Sequence, residues 1–372
     1  MPTMQTHRAR TRRGAGGARF AGIAGAALLA AAGASAGPFA GHASRPGTSR
    51  VPRPAPAYRL ATTYAAGAAT PHFIGFDSRL DELFVSHLKL GTVTVLDATD
   101  GALLATIAVP TAGAVLHTVV VDQATQRVYV TDIANGLVDV IDARTDTVVG
   151  AIDVGGHPHG MALSSSRRRL WVSNVGTSQV DVVDTATDRV LAKVDVGPNP
   201  WGVTYDPRTG TVWSANTGIT PTGASVATGD TLTEINGQTD AVVRTVTVGP
   251  HPWWALADAS NGTVYAGVAG ANEVALVRAS DGVVVGDVAV GVSPHGMTLD
   301  GRSHLLFVND SGSNQVSVID TQTNRLVQTL AVGQMPQGTA IDQHDGWVFV
   351  ANQASGTVSV LEPVTSRPGA GH

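Results

Sequence analysis

The chain has 372 residues, of which 43% are hydrophobic, only 14% are charged and none is cysteine. The lack of cysteine excludes disulfides and thiolate metal sites, and a formal charge of −5 argues against a nucleic-acid partner. Two ordinary domains would fit this length, but an internal repeat makes most of it one domain.

Residues 1–19 carry Arg8, Arg10, Arg12, Arg13 and Arg19 and no acid, Phe20 to Gly33 is apolar, and Ala34-Ser35-Ala36 has the form of a cleavage site. Together they predict a signal peptide over 1–36 and export to the cell envelope or medium. Thr11-Arg12-Arg13 resembles a twin-arginine export signal, with Ala15 where Phe is expected; the general secretory route is the alternative. The apolar run is too short and too rich in Gly and Ala to span a membrane, so none is expected after cleavage. Without residues 1–36 the chain keeps 19 basic and 29 acidic side chains, a balance of −10. Residues 37–57 read as a Pro-rich disordered linker and 366–372 as a disordered tail.

From residue 58 to 365 the chain is repetitive. The unit is clearest from Ala289 to Leu330, where strand-like runs occupy Gly296–Leu299, Leu305–Val308, Gln315–Ile319 and Arg325–Leu330. Asp300-Gly301, Asp310 to Asn314 and Asp320 to Asn324 supply the turns of an antiparallel meander. A phase marker follows the V-G-x-x-P element at His72, His117, His159, Trp201, Trp253, His295 and Gln337, with steps of 45, 42, 42, 52, 42 and 42. A four-stranded unit repeating at this interval predicts an all-β, seven-bladed β-propeller of four-stranded antiparallel blades. No sustained 3.6-residue period supports helical repeats. The last unit lacks a fourth strand, and one orphan strand, Tyr58 to Tyr64, precedes the first. Pairing that strand outside Thr357 to Leu361 closes the ring and protects both edges.

The runs Leu170-Trp171-Val172-Ser173-Asn174, Val348-Phe349-Val350-Ala351-Asn352 and Val128-Tyr129-Val130-Thr131-Asp132 resemble the core of the YVTN β-propeller repeat, and Val138–Asp142, Val180–Asp184 and Val316–Asp320 resemble its next strand. The resemblance covers residues 58–365 and implies a seven-bladed propeller in an exported or surface protein of bacterial or archaeal type. It implies no single activity, because the family is defined by its scaffold.

In a meander the interblade connections share one face with the loops between strands two and three. That face gathers the seven markers at the channel mouth, which makes them candidate ligand- or partner-binding residues. Gly160, Gly202, Gly296 and Gly338 follow four of them, where a side chain is expected to crowd the axis. Asp132, Asn174, Asn216, Asp310 and Asn352, which end second strands, are expected to cap the loops that follow, with His87 and Val268 as departures. Trp254 is expected to point away from Trp253 by strand alternation. A 14-residue loop, Thr217 to Asp230, interrupts blade four on the same face.

No nucleophile elbow, zinc-helix or P-loop motif occurs, and no cofactor or metal site is assigned. The resulting expectation is an exported, non-catalytic, monomeric binding propeller whose partner is a protein or small ligand. The alternative is a metal- or cofactor-dependent oxidoreductase or hydrolase that uses the four converging His.

Overall fold

The computed structural model describes residues 57–220 and 229–364; the segments read as signal peptide and tail, nearly all of that read as linker, and the middle of the long loop lie outside the described residues. Among the described residues 28 strands form seven four-stranded antiparallel sheets. Each inner strand packs against the inner strands of the two neighbouring sheets, and that of blade seven meets that of blade one, so the sheets form a ring. The inner strands are Pro71–Asp77, Leu116–Asp122, Pro158–Ser164, Pro200–Asp206, Pro252–Asp258, Pro294–Asp300 and Pro336–Ile341. They run longer than the sequence predicts because the leading residue, Pro in six of the seven and Leu116 in the other, itself pairs, Pro294 with Asp310 for example. No helix among the described residues is long and apolar enough to cross a membrane.

Side-chain patterning follows position in the blade. Second and third strands, such as Arg169–Asn174 and Gln179–Asp184, are buried nearly throughout, whereas the outer strand Arg189–Asp195 alternates exposed and covered residues. A sheet sandwiched between two others needs apolar residues on both faces; one edge meets water. The core is therefore divided among the interfaces between blades. Trp171, Val180, Val182 and Val194 of blade three pack on Val203, Val212 and Ile235 of blade four, and Trp171 stacks on Tyr205 at 4.9 Å.

The ring closes as the orphan strand predicts. Tyr58–Ala65 lies antiparallel to Thr357–Pro363, Tyr58 facing Pro363 and Ala65 facing Thr357, with one bulge between Leu60 and Thr62. A tyrosine pins each end to a different neighbouring blade. The backbone N–H of Tyr58 donates to Gln328 Oε1 at 2.8 Å and its carbonyl accepts from Gln328 Nε2 at 2.7 Å, while its phenol packs on Phe307 of blade six. Tyr64 Oη donates to the Thr99 carbonyl of blade one at 2.9 Å. Asp122, Asp142 and Asp206 form the expected turns, each accepting the backbone N–H two residues on at 2.8–3.0 Å.

Candidate functional site

The channel mouth is built from a local defect repeated in every blade. Pro158 pairs with Asn174 and Met161 with Val172, so His159 and Gly160 together face Ser173. Such a bulge breaks strict alternation and turns two consecutive residues toward the axis. The marker is the first of the two. All seven markers accordingly meet in one ring.

Their rings touch. His72 and His117 lie 4.3 Å apart by ring centroid, His117 and His159 4.7 Å, His159 and Trp201 4.0 Å, Trp201 and Trp253 4.4 Å, and Trp253 and His295 5.3 Å. His295 returns to within 6.2 Å of His72 across the position of Gln337. The four His and Gln337 are buried, none more than 6% exposed, whereas Trp201 and Trp253 keep partial exposure.

The second bulge residue corrects the expectation for Trp254. Trp254 is buried and stacks on Phe73 at 4.9 Å, and it also faces His295 at 6.5 Å. Phe73 and Trp254 come from blades one and five and meet across the channel, beside the marker ring. The other blades carry Thr118, Gly160, Gly202, Gly296 and Gly338 there. These glycines are required by the next blade rather than by the axis: a Cβ on Gly202 would meet the Trp253 carbonyl at 2.8 Å, and one on Gly160 or Gly296 would strike the carbonyl of Trp201 or Gln337. Two large residues among five small ones was the signal for this plug in the sequence.

A hydroxyl ties the bulges together. Ser173 Oγ accepts the Gly160 N–H at 2.8 Å and donates to the Trp201 carbonyl of the next blade. Thr131 does the same between Thr118 and His159, at 2.9 and 3.0 Å. Ser86 links Phe73 to the His117 carbonyl, and Asn309 Nδ2 donates to that of Gln337 at 2.9 Å. These side chains set marker positions from behind, and sequence reasoning had passed over them.

Burial holds the four imidazoles neutral. It pushes His159 and His295 down to about 4, and His72 and His117 well below the usual range, with repulsion from neighbouring imidazoles adding to the loss for His72 and His117. Several polar atoms in the ring have no partner: His72 Nδ1, His117 Nε2, His295 Nδ1 and Trp201 Nε1. His159 Nδ1 sits 3.0 Å from the His157 carbonyl. Among the described residues no group of three His, Asp or Glu side chains is arranged to hold one ion. The imidazoles meet edge to face instead of aiming their nitrogens at a common point, although they lie closer together than a seven-membered ring suggests.

The residues ending the second strands are buried, and most reach the third strand rather than only capping a loop as expected. Asn174 Nδ2 bonds Asp181 and the Val154 carbonyl, His87 Nε2 meets Thr94, and Asn352 Nδ2 meets Ser359. Asp132 does cap, accepting the N–H groups of Val115 and Asn135. The described ends of the long loop bond residues just before the two partly exposed indoles in the chain. Thr217 Oγ1 donates to the Asn199 carbonyl, two residues before Trp201. His251, two residues before Trp253, donates its N–H to Asp230 Oδ1 at 3.0 Å and has Nδ1 3.1 Å from the Thr217 carbonyl.

The ring can therefore offer the partly exposed indoles of Trp201 and Trp253 to a ligand, backed by buried neutral imidazoles whose unpaired nitrogens lie beneath that surface. No protein-family model matches the chain and no curated protein matches it, so a seven-bladed β-propeller is the level at which it is placed.

Proposed function

We propose that the protein is an exported, non-catalytic, monomeric propeller of the YVTN type that binds a protein or small ligand on the aromatic sector of its ring. The observation that carries this reading is the pair Trp201 and Trp253. They are edge to face at 4.4 Å and keep partial exposure among buried neighbours. Tryptophan with one face free is the side chain most often found at binding hot spots. The described ends of the long loop, Thr217 and Asp230, bond Asn199 and His251, each two residues before one of these indoles in the chain. His159 and His295 flank the pair, at 4.0 Å from Trp201 and 5.3 Å from Trp253 by ring centroid.

The test is a thermal-shift and calorimetric screen of the mature protein against envelope glycans, peptides and small aromatic compounds, repeated with a Trp201→Ala/Trp253→Ala variant. A ligand bound by the parent and lost by a variant that still folds supports the proposal. A ligand bound equally by both removes the site from this sector. One tightly held copper or zinc per untagged chain, lost on replacing His72, His117, His159 and His295 by Ala, would make the metalloenzyme the better reading.

A further inference from the structure

A cavity of about 330 Å³ opens on the face opposite the ring, between blades four and five, where Arg208, Thr209, Asn261, Gly262, Arg278 and Ser280 line it. Two departures from the repeat create it. Arg167 of blade three leans across to blade four, where its Nε donates to Tyr205 Oη at 2.7 Å and its guanidinium lies 5.9 Å from the ring centroid. Arg208 leans from blade four to blade five in the same manner. A Cβ on Gly262 would meet its Nη1 at 3.2 Å, as one on Gly210 would meet Arg167 Nη2 at 3.2 Å. Tyr205, however, is the sixth residue of its inner strand, and the sixth residue of Pro252–Asp258 is Ala257. The groove is left empty, and the Arg208 guanidinium has no partner among the described residues.

The second departure reverses a charge. The sixth residue of the third strand is Asp97, Asp142, Asp184, Asn236, Asp320 or Glu362 in the other blades, and Arg278 in blade five. In five of those six the side-chain oxygen accepts the N–H two residues on, Asp184 from Ala186 at 2.8 Å for example. Arg278 instead donates from Nη1 to Asp281 Oδ2 at 2.9 Å, which leaves the rest of its fork unassigned. Two guanidiniums from two blades face the cavity with the Ser280 hydroxyl, while the Thr209 hydroxyl is held by Asp206 Oδ2 at 2.8 Å. The amide of Asn261 is already committed, donating to Tyr265 Oη at 3.1 Å and to the Thr321 carbonyl at 3.0 Å, so it shapes the wall and supplies no further donor.

We propose that this cavity binds a small organic phosphate. Two guanidinium forks from different blades and the Ser280 hydroxyl, arriving from several directions, match the oxygens of a tetrahedral dianion better than the two of a planar carboxylate. The volume exceeds a bare ion and sits at the lower end of small-molecule sites, roughly 300–1,000 Å³. The site is independent of the aromatic ring and does not rest on the ring's function.

The experiment is calorimetry and amide NMR of the mature protein with glycerol 3-phosphate, inorganic phosphate and acetate. Glycerol 3-phosphate is expected to bind with a Kd on the order of 1 mM, shifting amides at 208–210, 261–262 and 278–281. Phosphate should bind more weakly and acetate weakest. Arg208→Ala should weaken binding at least about five-fold, and Arg278→Asp, which restores the residue the repeat favours, should remove it. Both side chains are exposed, so melting temperatures should hold. Arg167→Ala, which removes a committed guanidinium, should leave binding unchanged. Equal loss with Arg167→Ala, acetate binding as tightly as glycerol 3-phosphate, or no loss with Arg278→Asp would each overturn the proposal.

Discussion

The blade interiors and the channel ring both bury polar side chains, and they differ in how far these are partnered. Inside the blades most buried carboxylates and amides keep at least one bond even where an atom is left over: Asp181 Oδ2 of blade three receives Lys193 Nζ at 2.7 Å and Asn174 Nδ2 at 3.0 Å, while Asp181 Oδ1 and Asn174 Oδ1 have no partner. In the ring, His72, His117, His295 and Trp201 each keep an unpaired nitrogen. A buried polar group without a partner costs roughly 1–3 kcal/mol, and a scaffold has no need to carry several in one place. The difference teaches where the fold ends and where spare chemistry begins. Blade two blurs the line. Its Asp139 occupies the place of Asp181 but faces Ala151 where blade three has Lys193, and neither of its carboxylate oxygens has a hydrogen-bond partner.

The largest way to break the comparison is to open the scaffold itself. Deleting residues 58–65 removes the ladder with Thr357–Pro363 and both pinning tyrosines. A loss of roughly 5–10 kcal/mol is expected, read as failure to unfold in one cooperative transition; deleting 37–55 should change nothing. Equal melting of the two truncations would show that the closing strand is dispensable.

Asp139 sharpens the blade side of the comparison. Burial, with repulsion from Asp132, pushes its carboxyl up to about 7. The unfolded carboxyl ionises near 3.8, so the folded state holds a proton that the unfolded state releases between those values. Its contribution is therefore favourable in acid, falls as pH rises from about 4 to about 7, and is a full penalty above. Asp139→Asn should stabilise at pH 8 by up to about 4 kcal/mol and be neutral near pH 3.5. Ala151→Lys should give part of that gain. Chemical denaturation across pH decides it; a destabilising Asp139→Asn at pH 8 would mean that the charged form is needed.

The ring His bend stability the other way. Their folded pKa values are lowered, so below about 6.5 the unfolded chain takes up protons that the folded ring refuses. Stability should fall as pH drops through that range, by up to about 1.4 kcal/mol per pH unit for each imidazole, and His295→Gln should flatten the slope. An imidazole of the ring titrating near 6.5 in the folded protein by NMR would contradict this.

Much of the scaffold was legible because its constraints are periodic. The 42-residue spacing, the V-x-V strands and the orphan Tyr58 strand each report one physical need: a neighbour for both faces, or cover for an edge. The ring was legible as a set of seven residues, but its shape was not. Alternation misassigned Trp254 because a bulge turns two successive residues inward, and pairing register is not written in a single strand. Ser86, Thr131, Ser173 and Asn309 look like ordinary strand residues until the next blade's carbonyl is placed beside them. Asp139 escaped notice for the same reason: its missing counter-charge is visible only against Lys193 one blade away.

The central claim is that Trp201 and Trp253 serve binding more than folding, and melting of single Trp→Ala variants tests it most directly. Trp171, fully buried between blades three and four, should cost about 3–5 kcal/mol. Trp201→Ala and Trp253→Ala should cost about 1–2 kcal/mol each while abolishing binding of the ligand found by the screen. Losses as large as that for Trp171→Ala, with binding retained by whatever protein remains folded, would return both indoles to the scaffold.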